Sequence, residues 1–291
     1  MLNVIKKLWM SSPAEVFYAV NRRLKKRSDW DYSLDKILKS KKHMNAQYLI
    51  DRWERYWRVI ETRHGDQSKK NFDFFEKDIL ELGCGPLFGW GPMAIFLGAK
   101  SYYYHEPALL RNDVEADLIR EQYFLPLYNE LIANFGNKMS FAEFFDKVMD
   151  KCQAIDFSAS AQVDLILSNS VLEHIPRAEI QSVIRLLYFV SKPGGYYFHS
   201  VDFGSHNIGG SGFGSIYARD RKIEFGKINR LRRSDIQRVL EACGFHPAHS
   251  TIYRSDEVDR NKIHESWHTY SDIDLSARVV FFVGKKDELL R

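Results

Sequence analysis

Short apolar runs alternate with amphipathic helical segments through most of this chain. The apolar runs are residues 78–82, 101–105, 163–169, 196–201, 245–253 and 277–285. Apolar residues recur at helical spacing over residues 180–187 and 236–243. Strands that alternate with such helices predict an α/β fold with a doubly wound, mostly parallel sheet that is covered on both faces.

The organisation along the 291 residues changes near a polar segment at residues 65–71. We expect a helical N-terminal cap over residues 1–70 and the main domain over 71–291. An aromatic stripe on one helix face belongs to this cap: Leu49, Trp53, Tyr56, Trp57 and Ile60. It fits the core better than a surface offered to a ligand. A helical insertion is predicted over 107–150, after the second strand, and a glycine-rich lid over 203–229.

Composition and charge limit the class of protein. Hydrophobic residues make up 45% and charged residues 27%, as in ordinary globular chains. Residues 1–28 hold seven Lys and Arg against Glu15 alone. This basic arm indicates either a solvated helix face or a peripheral contact with an anionic membrane surface. The sequence has no stripe of alternating basic and aromatic residues, so a nucleic-acid partner is not expected.

The cysteines are three in number, Cys84, Cys152 and Cys243, and their spacing fits neither a disulfide framework nor a metal site. A reducing compartment, the cytoplasm, is therefore expected. No apolar run reaches the roughly 20 residues that cross a bilayer. The oligomeric state is left open by the sequence.

A glycine turn follows the first predicted strand, in the sequence ELGCGP. Nicotinamide, flavin and S-adenosylmethionine (SAM) proteins all use such turns. The third glycine of a dinucleotide fingerprint is replaced by Phe88, and Pro86 removes a backbone donor. Glu81 at the strand end favours a cationic ligand, and Glu106 after the second strand is suited to ribose hydroxyls. These features favour a cationic nucleoside over a diphosphate.

Five motifs in order resemble the class I SAM-dependent methyltransferases over about residues 72–286. They are ILELGCGP, the acid of YYYHEP, DLILSNSVLEHI, KPGG and NRLRRSDIQRVLEACGF. The resemblance implies a Rossmann-like, seven-stranded sheet and SAM as the cofactor. The residues that it implies for cofactor binding are Glu81, Gly83, Cys84 and Gly85 at the methionine moiety, Glu106 at the ribose, Gln153 and Ala154 at the adenine, and Asn169 and Ser170 beside the methyl donor. Gln153 departs from the usual acid, and Asp156 is an alternative.

The candidate catalytic residues follow the fifth strand, in the stretch HSVDFGSH. It resembles a segment of methyltransferases that act in polysaccharide and secondary-metabolite pathways. We expect His206 to be the general base, assisted by Asp202; a solvated loop histidine and a turn-forming aspartate are the alternative. His199 is expected to be a buried sheet histidine, although a divalent metal held by these three residues is a further alternative. No metal is expected.

Two further features leave alternatives open. Arg219, Arg221 and Lys222 either meet a phosphorylated or acidic acceptor or form an ordinary solvated face. The HESWH sequence at 264–268 matches the HExxH zinc motif, which requires both histidines on one helix face. No third ligand follows at short spacing, and the glycine turn would be unexplained by a protease.

The function predicted from these motifs is SAM-dependent methyl transfer to oxygen of a small-molecule or sugar acceptor. The alternatives are N- or C-methylation and a non-catalytic scaffold with the same fold. A nicotinamide oxidoreductase is a less favoured alternative.

Overall fold

The computed structural model describes residues 46–64, 74–106, 109, 117–157, 162–204, 217–218, 220–222, 228–254 and 258–287. The basic arm, most of the predicted cap and most of the predicted glycine-rich lid, with His206, lie outside these residues.

A sheet with the strand order β3-β2-β1-β4-β5-β7-β6 forms the centre of the molecule. Its strands are β1 (Asp78–Leu82), β2 (Ser101–His105), β3 (Cys152–Ala154), β4 (Val163–Asn169), β5 (Ser191–Asp202), β6 (Ala248–Arg254) and β7 (Ala277–Lys285). The pairs from β3 through β5 are parallel, whereas β7 is antiparallel to β5 and β6. The prediction of a mostly parallel sheet is confirmed. The order reverses direction between β1 and β4, which is where open α/β sheets bind ligands.

The helices connect these strands and cover both faces of the sheet. They are α1 (Ala46–His64), α2 (Gly91–Phe96), α3 (Asp117–Ile119), α4 (Leu125–Phe135), α5 (Phe141–Lys151), α6 (Ile180–Val190), α7 (Arg233–Ala242) and α8 (Asp272–Ser276). A π-helical turn over Arg120–Phe124 joins α3 to α4, directly before Pro126. None of the helices in the described ranges is long and apolar enough to cross a membrane.

Two apolar cores result from the alternation of side chains along the strands. Ile79 belongs to the core that α1, α2, α4 and α5 share, and Leu80 belongs to the core under α6 and α7. Both residues are fully buried. Neighbouring residues of β1 thus enter different cores, because both faces of this strand are covered. For this reason the β1 sequence, apart from its acids, is a continuous apolar run and does not alternate with polar residues.

The aromatic stripe of α1 is part of the first core. The Trp53 ring lies 4.6 Å from that of Phe74 and 5.4 Å from that of Phe198, between ring centroids. Tyr56 stacks on Phe198 at 5.1 Å. Aromatic pairs of this kind contribute about 0.5–1.5 kcal/mol each beyond the area they bury. The core interpretation of the stripe is therefore confirmed for Trp53 and Tyr56, and α1 is fixed against the sheet.

The predicted strand boundaries differ from the structure at β5. The Pro-Gly-Gly sequence was expected to be a turn before a strand at 196–201, but β5 begins at Ser191 and includes it. Gly194 has a φ of +75°, and its N–H donates to the carbonyl of Lys286, so the strand continues through an irregular segment. Pairing with the segment that follows β7 sets this boundary, and local sequence propensity carries no information about such pairing.

Candidate functional site

The glycine turn after β1 lies at the carboxyl end of the sheet, where the strand order reverses. Gly83 and Gly85 have φ values of +70° and +71°, which favour glycine. A Cβ atom on Gly83 would lie 2.4 Å from Cγ2 of Val171, in the loop after β4. A Cβ atom on Gly85 would meet nothing within 4 Å. Gly83 is therefore required by packing, and Gly85 borders open space.

Glu106 is joined to this turn. Its Oε2 accepts a hydrogen bond of 2.9 Å from the N–H of Gly85. The N–H of Gly83 donates to the carbonyl of His105, the last residue of β2, also at 2.9 Å. The structure thus brings together the turn and the acid that the sequence placed at two successive strand ends. A half-buried carboxylate beside open space suits a ligand that offers hydroxyl groups.

Glu81 has a different environment from the one its position in the sequence suggested. It is 2% exposed, and its Oε2 accepts hydrogen bonds from the N–H of Trp90, at 2.9 Å, and from the hydroxyl of Tyr102. Burial raises the pKa of Glu81 to about 7, against the lowering effect of these two bonds, and the Glu106 carboxylate adds to the rise. Near neutral pH the carboxyl is thus partly protonated, and its bond to the N–H of Trp90 joins β1 to the start of α2.

Cys84 lies between the two glycines and is buried in the core. Its Sγ is 3.3 Å from the carbonyl oxygen of Gly85. Burial raises the pKa of this thiol well above its usual value, with further contributions from Glu81 and Glu106. Cys84 is therefore a neutral packing residue, and any contact with a ligand at this position comes from its backbone.

The end of β4 is contacted by α1, which sequence reasoning did not anticipate. Asn169 Oδ1 accepts hydrogen bonds from the Tyr56 hydroxyl at 2.7 Å and from the Arg52 guanidinium at 2.5 Å. Ser170 follows with a φ of +52°, is exposed, and donates from its N–H to Ser200 at 2.8 Å. The only sequence signal for Arg52 was a basic residue beside the aromatic stripe of α1.

The end of β5 presents Asp202, which is half-buried. Its Oδ1 accepts a hydrogen bond of 2.7 Å from the N–H of Gly204, and its own N–H donates to Glu173 Oε1 at 3.2 Å. Glu173 is 2% exposed. Burial raises the pKa of Glu173 to about 8, and the Asp202 carboxylate adds to the rise. The sequence favours a turn-shaping role for Glu173 and His174 over a contact with the substrate, so Glu173 was not among the predicted site residues. Its VLEHI motif was the available signal.

His199 is a buried histidine of the sheet, as expected. Its Nδ1 is 2.8 Å from Ser168 Oγ, and burial lowers its pKa to about 3. It lies three positions before Asp202, so strand alternation directs the two side chains to opposite faces. His199 and Asp202 therefore do not form one metal site, and the described ranges contain no group of His, Cys, Asp or Glu side chains arranged for a metal ion.

The edge strand β3 carries the two residues expected at the adenine. Gln153 and Ala154 are both exposed, and Gln153 Nε2 donates to the carbonyl of Asp150 at 2.9 Å. The amide is thus directed to the end of α5. Asp156 follows β3 at the carboxyl edge of the sheet and is exposed. Asp156 thus lies beyond the end of β3, whereas Gln153 lies within the strand.

The HExxH sequence does not have the conformation that the zinc motif requires. Glu265–Trp267 is a single 3₁₀ turn, and the His264 side chain caps it, with Nδ1 2.9 Å from Ser266 Oγ. In a 3₁₀ helix, residues four apart point in different directions. His264 and His268 therefore do not share a face, and the zinc interpretation has no support from this segment.

Comparisons with known proteins return solved structures only. No protein-family model matches the sequence, and no curated protein matches it. The chain is similar to an S-adenosylmethionine-dependent methyltransferase from Mesorhizobium loti, with 13% identity, 73% of this chain and 92% of that chain covered, and a TM-score of 0.37. The chain is also similar to a proposed S-adenosylmethionine-dependent methyltransferase from Listeria monocytogenes. The identity is 14%, the match covers 81% of this chain and 96% of that chain, and the TM-score is 0.40.

A third similar structure is the Haloferax volcanii complex between the Trm112 methyltransferase activator and a proposed methyltransferase. It has 14% identity to this chain, covers 83% of this chain and 97% of that chain, and has a TM-score of 0.42. The structures to which the chain is similar are thus described as methyltransferases. At these identities and scores the likeness does not decide the chemistry, which has to be argued from the residues at the carboxyl end of the sheet.

Proposed function

We propose that this chain is a SAM-dependent methyltransferase. The observation that carries the proposal is the hydrogen bond between Glu106 and the N–H of Gly85, beside the open space at Gly85. It supports the proposal because a carboxylate, which can accept from ribose hydroxyls, lies beside a backbone that a ligand can approach closely, at the reversal point of the sheet. Pro86 and Phe88 in the same turn disfavour a dinucleotide diphosphate.

The remaining parts of the cofactor would be held by residues around this turn. Arg52, half-buried and bonded to Asn169, carries the positive charge suited to the carboxylate of the methionine moiety. Ser170 lies next to Asn169, where the methyl donor is expected. At the other end, Asp156 and Ala154 would border the adenine, with Asp156 in the part first given to Gln153. These assignments fit a ligand that is cationic at its centre and anionic at one end.

When bound, SAM supplies an electrophilic methyl group on a positively charged sulfur. The residues of this chain have to position the acceptor in line with it and exclude water. For an oxygen acceptor, the oxygen–carbon bond forms as the carbon–sulfur bond breaks, and the electron pair of that bond stays on sulfur. We assign removal of the acceptor proton to His206, assisted by Asp202 at the end of β5. The acceptor class is a small molecule or sugar.

Calorimetric titration with SAM, S-adenosylhomocysteine and NAD(H) tests the cofactor. We expect saturable binding of the two sulfur nucleosides and none of NAD(H). The Glu106→Gln variant should weaken binding by about tenfold, since a charged acceptor for hydroxyl groups is lost. Glu143→Gln is the matched control, because Glu143 lies on the exposed side of α5. Equal effects of the two substitutions, or no binding to the wild type, would contradict the proposal.

An acceptor screen with mass detection tests the reaction. His206→Gln should bind SAM normally and lose most of its turnover, whereas His246→Gln, at an exposed histidine, should keep it. SAM binding with no turnover on any acceptor would favour the scaffold alternative. Full turnover by His206→Gln would remove the base assignment, and the atom that carries the new methyl group in the product then distinguishes O- from N- or C-methylation.

A further inference from the structure

A segment rich in arginine, residues 217–238, contacts the ends of β4 and β5 through its described residues. Residues 217–238 contain eight Lys and Arg and three Asp and Glu, a net charge of +5. This is more than the net charge of +4 of the whole chain. Within it, residues 229–232, Asn-Arg-Leu-Arg, are described throughout, and we call them the arginine strap. Both arginines of the strap are buried, with exposures of 2% for Arg230 and 1% for Arg232.

Asn229 fixes one end of the arginine strap to the loop after β4. Its Nδ2 donates to the carbonyls of Leu172 and Ile175, at 2.7 and 2.8 Å. Its backbone N–H donates to the carbonyl of Glu173 at 2.7 Å, and its Oδ1 accepts from the N–H of Leu231 at 2.9 Å. Three of these hydrogen bonds join Asn229 to the loop after β4, and the fourth joins it to Leu231 within the strap, so this end of the strap is held at the end of β4.

Arg232 fixes the other end to β5. Its guanidinium donates to the carbonyl of Phe203 at 3.0 Å, to the Tyr217 hydroxyl at 2.7 Å and to the carbonyl of Leu231 at 3.0 Å. Phe203 follows Asp202 directly. A guanidinium charge is therefore bonded one residue from the end of β5, where we place the acceptor.

Aromatic rings surround this charge. The Arg232 guanidinium carbon lies 5.0 Å from the centre of the Phe203 ring and 5.9 Å from that of Trp267. Arg230 lies over Trp267 at 5.0 Å, and Arg221 lies over Tyr270 at 5.3 Å. Arg230 also has a φ of +57°, a strained conformation for arginine that rigid surroundings have to maintain. The three guanidiniums thus belong to one aromatic cluster.

Two of the nearby carboxylates form ion pairs with other arginines, and Arg221 reaches one of them, Asp235, only through the Tyr270 hydroxyl. Asp235 pairs with Arg238 at 3.1 Å, and Asp274 pairs with Arg233 at 3.0 Å. Among the residues that the structure describes, no carboxylate forms an ion pair with Arg221 or Arg232. A buried cation whose partners are all neutral is costly, and an anion that approaches it gains more than it would in water.

We propose that the arginine strap and Arg221 recognise an anionic group of the methyl acceptor, a carboxylate, phosphate or sulfate ester. This inference rests on the proposed methyltransferase function and defines the class of acceptor further. Arg221 is half-buried and reaches solvent, so it meets the anion directly, while the two buried arginines supply a fixed positive field behind it. The acceptor's reacting oxygen would then lie toward Asp202, and its anionic group toward the aromatic cluster.

The test uses the full chain saturated with S-adenosylhomocysteine and three probes, inorganic phosphate, sulfate and acetate, titrated at constant ionic strength against chloride. The readout is the shift of the thermal unfolding midpoint, which gives an apparent affinity for each anion. We expect saturable stabilisation by at least one probe, and the probe that binds best identifies the class of anionic group. The Arg221→Gln variant should bind that anion about tenfold more weakly, because a charge-assisted pair is lost.

Arg238→Gln is the matched control, since it removes the same charge from the same segment at a side chain that is 70% exposed. It should change the anion affinity less than twofold. Equal weakening by both variants, or no saturable effect of any probe on the wild type, overturns the proposal. So does binding of a single-stranded RNA oligonucleotide in place of the small anions. Failure of S-adenosylhomocysteine to bind in the first step would instead contradict the proposed function, so the two failures are distinguishable.

Discussion

The glycine turn and the arginine strap lie at the same edge of the sheet but are built on opposite principles. The turn presents backbone and carboxyl groups, with Glu81 and Glu106 bonded to its N–H groups. The strap presents guanidinium groups that bond carbonyls and stack on rings. The first arrangement suits a cationic nucleoside with hydroxyl groups, and the second suits an anion. The comparison teaches that neighbouring regions at the carboxyl end of one sheet can favour opposite signs of charge in what they bind.

The largest expected effect separates the two glycines of the turn. Gly83→Ala should destabilise the fold by about 3 kcal/mol, because it combines the left-handed conformation with a collision against Val171. Gly85→Ala should cost only about 1–2 kcal/mol, since its Cβ meets open space, but should weaken S-adenosylhomocysteine binding more. Urea unfolding and calorimetry on both variants check this, and the same stability loss in both would contradict it.

The next effect tests whether the strap is independent of the turn. Arg232→Met should lower the free energy of unfolding by about 2–3 kcal/mol, because the Tyr217 hydroxyl and the Phe203 carbonyl lose a buried donor. Binding of S-adenosylhomocysteine to the folded variant should stay within about twofold of the wild type. A much larger loss of nucleoside affinity would show that the two regions are coupled.

Glu173 connects the strap to the end of β5, and its ionisation should make stability depend on pH. Its folded-state pKa of about 8 lies above the usual value of 4.5, so the folded protein holds the proton more tightly. Stability should therefore fall as pH rises from about 5 to 8. Glu173→Gln should remove part of this fall, on the order of 2 kcal/mol at pH 8, with little change at pH 5. Denaturant midpoints of the wild type and of Glu173→Gln at pH 5 and pH 8 test this expectation, and the same fall in both proteins would contradict it.

The smallest effect concerns proton release at the turn. With its pKa raised to about 7, Glu81 is partly protonated at neutral pH, and a cationic ligand should favour its ionised form. SAM affinity should therefore rise by about threefold from pH 6 to pH 8, more than that of S-adenosylhomocysteine, whose sulfur is neutral. Calorimetry in buffers of different ionisation enthalpy measures the released proton, and equal release with both ligands would contradict the expectation.

Much of the fold could be predicted from local sequence patterns, because each strand and helix repeats its own period. The bounds of β1, β2, β4 and β7 agree with the predicted runs. β3 has only three residues, too few for periodicity to detect, and the sequence patterns did not predict it. The start of β5 was missed because pairing with its neighbours overrides the propensity of Pro, Gly and Gly.

The site was predictable where it depends on backbone geometry near a strand end. Glycines at the turn and an acid after β2 follow from chain order, since parallel strands end at the same edge. Arg52 and Tyr56 meet Asn169 across 117 and 113 residues, and Asn229 meets Leu172 across 57. No local period carries information about contacts at such separations.

The sequence by itself determined the alternation of strands and helices, the glycine turn and the acid beside it. These depend on dihedral preferences and burial patterns that act within a few residues. Only the tertiary structure decided that Glu81 is buried with a raised pKa, that α1 covers the end of β4, and that two arginines are enclosed by aromatic rings. Burial, and with it the charge state of an acid or the environment of a cation, depends on which distant elements pack around a residue.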